Sequence, residues 1–171
     1  MDSIKSHIRD IPDFPKKGII FKDITPVLND PKLFRKVVDI FTEKYQGEKI
    51  QKVIGIESRG FIFGAVLAYQ LNAGFCVVRK MGKLPYKTIK KSFDLEYGSD
   101  TLEMHEDSIQ PGERVLIVDD LLATGGTTEA TIALVQQLQG HVAGLAFLIE
   151  LSFLKGRARL KEYDVFSILK Y

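Results

Sequence analysis

Apolar residues follow two different patterns along the chain, continuous runs and helical repeats. The segment RVLIVDD, residues 114–120, contains four consecutive apolar residues and predicts a buried strand. The segment NDPKLFRKVVDIFTEKY, residues 29–45, repeats apolar residues on one helical face; Asp30 can cap this helix and Pro31 suits its first turn. The same reasoning predicts strands at residues 52–56, 75–79, 142–151 and 165–169, and helices at residues 61–71 and 127–140.

The order of these elements predicts the fold class. Strands that alternate with helices are typical of a parallel, largely buried sheet with helices on both faces. A chain of 171 residues is long enough to build one such core. We therefore expect an α/β fold, in which residues 1–171 form a single domain around a central, mostly parallel sheet flanked by helices.

Composition and charge narrow the class of function. The chain is 45% hydrophobic and 27% charged, with a formal net charge of +2, so no large basic surface for nucleic acid is expected. Cys76 is the single cysteine, which excludes an intramolecular disulfide and disfavours a cysteine-ligated metal site. The sequence contains no run of about 18 apolar residues. We expect a cytoplasmic protein that binds neither nucleic acid nor a membrane.

The end of the predicted strand at residues 114–120 carries the most specific chemistry. Asp119 and Asp120 occur where ligands bind in open parallel sheets, beyond the carboxyl ends of the strands. The loop that follows leads into a helix, and its glycines allow several backbone N–H groups to point at one anion. The residues of this loop are Ala123, Thr124, Gly125, Gly126 and Thr127. Acids for hydroxyl groups beside amides for a phosphate predict a sugar phosphate site.

Other phosphate-binding and acidic motifs fit this segment poorly. No Lys-Ser or Lys-Thr follows the glycines, as a Walker A loop requires, and the G-x-G-x-x-G spacing of dinucleotide-binding folds is absent. A response-regulator receiver domain also has acids at a strand end. It needs its acidic pair near the amino terminus and a phosphoacceptor Asp one strand later, which the 51 residues after Asp120 do not supply.

Several motifs together resemble the type I phosphoribosyltransferases. VLIVDDLLATGGT resembles the loop with which that family binds phosphoribosyl pyrophosphate (PRPP), and the DDLLATGGT version is similar to that of members that use adenine. IGIESRGFIFG resembles the family's pyrophosphate-binding loop, RKMGKLP the start of its mobile loop, and LEYG the end of that loop. DFPKKGIIFKDITPVLNDP resembles its base-recognition segment, and SFLKGR a motif near its carboxyl end.

The resemblance implies a reaction and its substrates. A type I phosphoribosyltransferase fold with a mobile lid would transfer phosphoribosyl from PRPP to adenine, giving AMP and pyrophosphate, with Mg²⁺ held mainly through PRPP rather than by assigned protein ligands. Asp119 and Asp120 would contact the ribose hydroxyls, and residues 123–127 the 5′-phosphate. Glu57, Ser58 and Arg59 would form the loop beside the pyrophosphate; taken alone, they are also typical of a surface turn.

The resemblance also assigns roles to the basic run and to the lid, residues 79–97. Arg79, Lys80 and Lys83 match positions that contact pyrophosphate and reach a neighbouring subunit, so a homodimer is implied. Glu96 matches the acid that exchanges a proton at adenine N7, and Tyr97 is its companion. The remaining lysines of the run, Lys87, Lys90 and Lys91, are expected to be solvated.

Base recognition is assigned to residues 1–30, where Phe21 resembles the stacking residue and the backbone of Ile20 would read the adenine edge. Two residues depart from the family pattern: Lys22 replaces an expected Arg and Phe93 a common Tyr.

Two alternative functions stay open. One is an enzyme that uses hypoxanthine, guanine or xanthine; the other is a PRPP-sensing regulator without catalysis, which usually carries an additional DNA-binding domain.

Overall fold

The structure is a computed structural model that describes residues 1–94 and 99–171. Its residues divide into two compact units, residues 1–40 and residues 41–171. No helix in the described part of the chain is long and apolar enough to cross a bilayer.

The first unit contains a small two-stranded sheet and short helices. Its elements are α1 (Asp2–Lys5), β1 (Arg9–Pro12), β2 (Ile20–Asp23), α2 (Thr25–Asn29) and the start of α3 (Pro31–Tyr45). β1 and β2 are antiparallel, and the rings of Phe14 and Phe21 contact edge to face with centroids 5.2 Å apart. The predicted cap of α3 is confirmed: Oδ1 of Asp30 accepts hydrogen bonds from the amides of Lys32 (2.8 Å) and Leu33 (3.0 Å).

The second unit contains a seven-stranded sheet. Its elements are β3 (Lys52–Ile56), α4 (Gly60–Gln70), β4 (Gly74–Lys80), β5 (Thr88–Asp94), β6 (Ser99–His105), β7 (Arg114–Leu122), α5 (Gly126–Gln137), β8 (His141–Glu150) and β9 (Val165–Lys170), with 3₁₀ turns at Ser152–Leu154 and Gly156–Leu160. The strand order is β5-β6-β4-β3-β7-β8-β9. In this order, β4, β3, β7, β8 and β9 are parallel to one another, whereas β6 is antiparallel to both β4 and β5.

Helices α4 and α5 lie on opposite faces of this sheet. Gly55 of β3 packs directly against Phe61 of α4, and there is no room for a side chain at Gly55. Its neighbours Ile54 and Ile56 point to the other face, where they belong to the same buried cluster as Leu134 of α5. The predicted mixed α/β fold, with a mostly parallel sheet flanked by helices, is thus confirmed.

One element boundary differs from the sequence prediction. β7 continues beyond Asp120 because Leu121 and Leu122 pair with Ile149 and Glu150 of β8, so the two aspartates lie within the strand rather than at its end. The segment predicted to be a mobile loop contains β5, whose residues pair in antiparallel register with β6 from Thr88↔His105 to Asp94↔Ser99.

Candidate active site

A cavity of about 660 Å³ opens where β3 and β7 end, a size that suits a small-molecule ligand. Four segments that are distant in sequence line it. One is residues 57–59 after β3, and the second is residues 119–128 at the end of β7 and the start of α5. The third contributes Lys80, the last residue of β4, and Lys83 in the turn after it; the fourth contributes Phe93, Asp100 and Leu102 of β5 and β6. The structure thus brings together most of the residues that the sequence analysis assigned to one site.

The loop at residues 123–127 has the backbone geometry of an anion-binding loop. Gly125 takes a left-handed conformation (φ 86°) directly before α5 begins at Gly126. The first regular hydrogen bond of the helix runs from the amide of Glu129 to the carbonyl of Gly125, at 2.9 Å. The preceding amides at the helix N-terminus have no partner within the helix, and the helix dipole favours an anion there.

Gly156 supports this loop from outside the cavity. A Cβ at Gly156 would lie 2.1 Å from the carbonyl oxygen of Ala123, which is far inside van der Waals contact. Only glycine therefore lets the 3₁₀ turn Gly156–Leu160 approach the loop so closely. The motif SFLKGR carried this signal in the sequence, but its contact with Ala123 could not be deduced there.

Arg59 joins the first two segments of the site. Its Nε donates a hydrogen bond to Oδ2 of Asp120, whose side chain is 5% exposed. Asp119 lies beside it, and its Oδ1 accepts the backbone amide of Asp120 at 2.9 Å. Removal from water and the neighbouring carboxylate of Asp120 both raise the pKa of Asp119 well above its usual value, since each disfavours the charged form.

The close approach of α4 to Asp119 depends on Gly60. A Cβ at this position would lie 2.8 Å from the carbonyl oxygen of Val118 and 2.9 Å from Oδ1 of Asp119. The sequence analysis did not single out Gly60, although it stands in the motif ESRG. It allows the start of α4 to lie directly against the acidic strand end.

Glu57 is the centre of the basic part of the site. Its Oε2 accepts hydrogen bonds from the amide of Lys80 (3.0 Å) and from Nε of Arg79 (3.3 Å), and its Oε1 accepts one from Nζ of Lys83. Burial alone would raise the pKa of Glu57, but these hydrogen bonds together lower it to about 2. Glu57 is therefore ionised, and it holds two of the three predicted pyrophosphate-binding side chains.

The third basic side chain has another partner. Nζ of Lys80 lies 3.0 Å from Oδ2 of Asp100, and this hydrogen bond lowers the pKa of Asp100. Asp100 lines the cavity and was missed by the sequence analysis, because its contact with Lys80 depends on the pairing of β4 with β6.

Among the described residues, three predicted site residues do not line this cavity: Arg79, Ile20 and Phe21. Ile20 and Phe21 belong to the first unit, where both are part of β2 and Phe21 contacts Phe14. Glu96 and Tyr97 lie outside the described residues.

The oxygen donors of the site fit a magnesium ion. Within residues 1–94 and 99–171, no group of three or more acidic, histidine or cysteine side chains is arranged to hold a metal. The carboxylates of Asp119 and Asp120 are hard oxygen donors, the type that Mg²⁺ prefers, and Mg²⁺ commonly takes its other ligands from water and substrate phosphates. The donor chemistry of the site therefore fits Mg²⁺.

The fold and the cavity together define a transferase domain of one known type. The family described as "Phosphoribosyl transferase domain" matches residues 23–170. A protein named adenine phosphoribosyltransferase from Acidobacterium capsulatum is 60% identical over 170 residues, which cover 99% of this chain and 94% of the relative. A protein of the same name from Geotalea daltonii is 57% identical over 171 residues and the full length of both chains.

Solved structures agree with these relatives. The adenine phosphoribosyltransferase of Rhodothermus marinus has a TM-score of 0.96 at 56% identity and covers 99% of this chain and 97% of its own. The Saccharomyces cerevisiae enzyme, solved with an imino-altritol bisphosphate and adenine, has a TM-score of 0.93 at 42% identity, with 98% and 97% covered. The chain belongs to the adenine phosphoribosyltransferase family of phosphoribosyltransferases.

Proposed function

We propose that this protein transfers the 5-phosphoribosyl group from PRPP to adenine, giving AMP and pyrophosphate. One arrangement carries this proposal: two carboxylates, an anion-binding loop and an arginine- and lysine-rich edge surround one cavity. These three features match the hydroxyls, the 5′-phosphate and the pyrophosphate of PRPP in turn. Relatives 54–60% identical over almost the whole chain carry the name of this activity.

The two acids and the loop would hold the ribose phosphate part of PRPP. Asp119 and Asp120 would accept hydrogen bonds from the ribose hydroxyls, and ionised acceptors make such bonds stronger. The amides of residues 123–127 and the hydroxyls of Thr124 and Thr127 would donate to the 5′-phosphate. The raised pKa of Asp119 means that its charged form is disfavoured in the folded protein. A ligand that brings hydrogen-bond donors or positive charge would stabilise that charged form.

The basic edge would bind and stabilise the leaving group. When the bond from C1′ to the pyrophosphate oxygen breaks, pyrophosphate leaves with the electron pair and its negative charge grows. Cations fixed in advance stabilise this charge in the transition state. We assign this role to Arg59, Arg79, Lys80 and Lys83, with Glu57 and Ser58 forming the supporting loop. Glu57 accepts hydrogen bonds from two of these cations, Arg79 and Lys83.

We assign adenine to the first unit and to the end of the lid. Phe21 would stack on the base and the backbone of Ile20 would read its edge, while Glu96, with Tyr97 beside it, would exchange the proton at N7 as N9 bonds to C1′. The lid, residues 79–97, would exclude water from an oxocarbenium-like transition state, which water would otherwise hydrolyse.

Mg²⁺, the oligomeric state and the compartment complete the proposal. Mg²⁺ bound with PRPP would neutralise part of the charge on the pyrophosphate. We infer a homodimer in which Arg79, Lys80 and Lys83 lie close to the partner's site, and a cytoplasmic location.

The direct test is product formation. Incubation with adenine, PRPP and Mg²⁺ should give AMP and pyrophosphate in equal amounts, resolved by ion-exchange chromatography. Asp120→Asn should lower the rate, whereas Asp107→Asn, which changes an exposed acid outside the cavity, should not. PRPP binding without any AMP formation would instead support a PRPP-sensing regulator.

A further inference from the structure

We propose that Glu103 is a positioning residue for this reaction: its buried carboxylate fixes the backbone of Lys83, and thereby the ammonium group of Lys83, at the pyrophosphate end of the cavity. This inference rests on the proposed role of Lys83 in the transfer reaction. Glu103 lies outside the lining of the cavity and reaches the substrate only through Lys83.

The location of Glu103 is unusual for an acidic residue. Its neighbours in β6, Leu102 and Met104, are 3% and 0% exposed and belong to the core cluster. Because side chains alternate along a strand, Glu103 points to the opposite face of the sheet. It is nevertheless only 2% exposed. A buried carboxylate is costly unless it is fully hydrogen-bonded.

The partners of Glu103 come from the turn that follows β4. Its Oε1 accepts hydrogen bonds from the amides of Lys83 and Leu84, both at 2.9 Å. Its Oε2 lies 3.5 Å from Oγ1 of Thr88 and 4.0 Å from Nζ of Lys90. Burial would raise the pKa of Glu103, but the backbone hydrogen bonds of this turn lower it, so the carboxylate is ionised. Bonds from amides to an ionised acceptor are short and strong.

These bonds hold the backbone of Lys83, whose carbonyl oxygen also accepts a longer hydrogen bond from Nη1 of Arg79 (3.4 Å). Residues 81–87 contain neither helix nor strand, so the turn is held by few backbone hydrogen bonds: the amide of Met81 donates to Thr101 (2.9 Å), and the carbonyl of Lys87 accepts from Glu106 (3.1 Å). Glu103 anchors the middle of the turn between these two points. Glu57 holds the ammonium group of Lys83. An incoming pyrophosphate competes with Glu57 for that group, whereas it leaves the bonds of Glu103 to the backbone intact.

The test compares two ligands that differ in the pyrophosphate. Isothermal titration calorimetry of the full-length protein measures the Kd of PRPP with Mg²⁺ and the Kd of AMP, which lacks a pyrophosphate. Glu103→Gln keeps the shape but loses the charge, and we expect about five- to tenfold weaker PRPP binding with AMP binding unchanged. Glu106→Gln, the same change at an exposed acid three residues further on, should alter neither affinity.

A merely structural role would give a different result. General damage to the fold would weaken the binding of PRPP and of AMP equally. Either that result or an unchanged affinity for PRPP would overturn the role of Glu103. The effect must also disappear in a Lys83→Ala background, because Glu103 acts through Lys83. If Glu103→Gln does not fold, Glu103→Asp keeps the charge but shortens the reach, and the same comparison of PRPP with AMP applies.

The same variants separate this inference from the proposed function. If Lys83→Ala weakens PRPP binding but Glu103→Gln does not, only the role of Glu103 is overturned. If Lys83→Ala itself leaves PRPP affinity unchanged, the assignment of Lys83 to the pyrophosphate is overturned as well.

Discussion

Arg59 and Asp120 are 61 residues apart in sequence, and a hydrogen bond from Nε of Arg59 to Oδ2 of Asp120 joins the loop after β3 to the end of β7. The side chain of Asp120 is 5% exposed and that of Arg59 is 43% exposed. The pair therefore links the proposed pyrophosphate-binding segment to the proposed ribose-binding segment.

Removal of Arg59 should destabilise the fold as well as weaken substrate binding. Arg59→Ala leaves a buried carboxylate without this cation, and we expect a loss of about 1–2 kcal/mol in the free energy of unfolding, since the exposure of Arg59 reduces the full effect of a buried pair. Urea unfolding measures this loss. Arg159→Ala breaks an ion pair with Glu129 whose side chains are 58% and 56% exposed, so it should cost almost nothing. Equal losses in the two variants would contradict the linking role of Arg59.

Asp119 should strengthen substrate binding while it lowers the free energy of unfolding. Its pKa is raised in the folded protein, so its ionisation costs folding free energy; the cost is absent below the unfolded pKa and is fully present above the folded one. Asp119→Asn keeps the oxygen that accepts the amide of Asp120. It should raise the melting temperature at neutral pH by about 2–6 °C while weakening PRPP binding. The control Asp39→Asn changes an exposed acid of the first unit and should do neither. A lower melting temperature for Asp119→Asn would be incompatible with the raised pKa.

Gly156→Ala should disturb the anion-binding loop without touching a ligand. The new methyl group would meet the carbonyl oxygen of Ala123 at 2.1 Å, and relief of this overlap requires the loop to move. We expect a loss of about 1–3 kcal/mol in stability and weaker binding of AMP through its 5′-phosphate, both measurable by denaturation and calorimetry. Gly47→Ala is the matched control, because a Cβ at Gly47 has no heavy atom within 4 Å. Unchanged AMP affinity in Gly156→Ala would show that Gly156 does not support the loop.

Glu57 should make the protein sensitive to acid. Its pKa is lowered to about 2, so its stabilising contribution is present above the unfolded value of about 4.3 and is lost as the pH falls from there towards 2. Glu57→Gln lacks this contribution at every pH. The stability difference between parent and variant should therefore shrink by about 1–2 kcal/mol between about pH 6 and about pH 2.5, allowing for solvent screening of Lys83. Urea unfolding at both pH values measures it, with Glu106→Gln as control. A difference independent of pH would contradict the lowered pKa.

The sequence predicted the fold well because its signals are local. The apolar run before Asp119 and the cap at Asp30 each act within a few residues, and both are confirmed. The extension of β7 to Leu122 depends instead on its pairing with β8, which no local pattern contains.

The site was predicted in part. The motifs containing Arg59 and Asp120 pointed to one cavity, because the carboxyl ends of parallel strands meet at one edge of a sheet. Gly60, Gly156 and Glu103 were missed, because each serves a contact between segments that are distant in sequence. The sequence does not distinguish a glycine that leaves space for a strand, or an acid that binds the amides of a turn, from other glycines and acids. The distinction depends on the position of the second segment in the fold.

The central claim is that this protein uses adenine as its acceptor base. The measurement that tests it most directly is a spectrophotometric assay with PRPP and Mg²⁺ in which adenine, hypoxanthine, guanine and xanthine are compared in parallel for kcat/KM. We predict turnover of adenine, with the other three bases at background. Turnover of a 6-oxopurine in place of adenine would contradict the claim, while leaving the PRPP site as described.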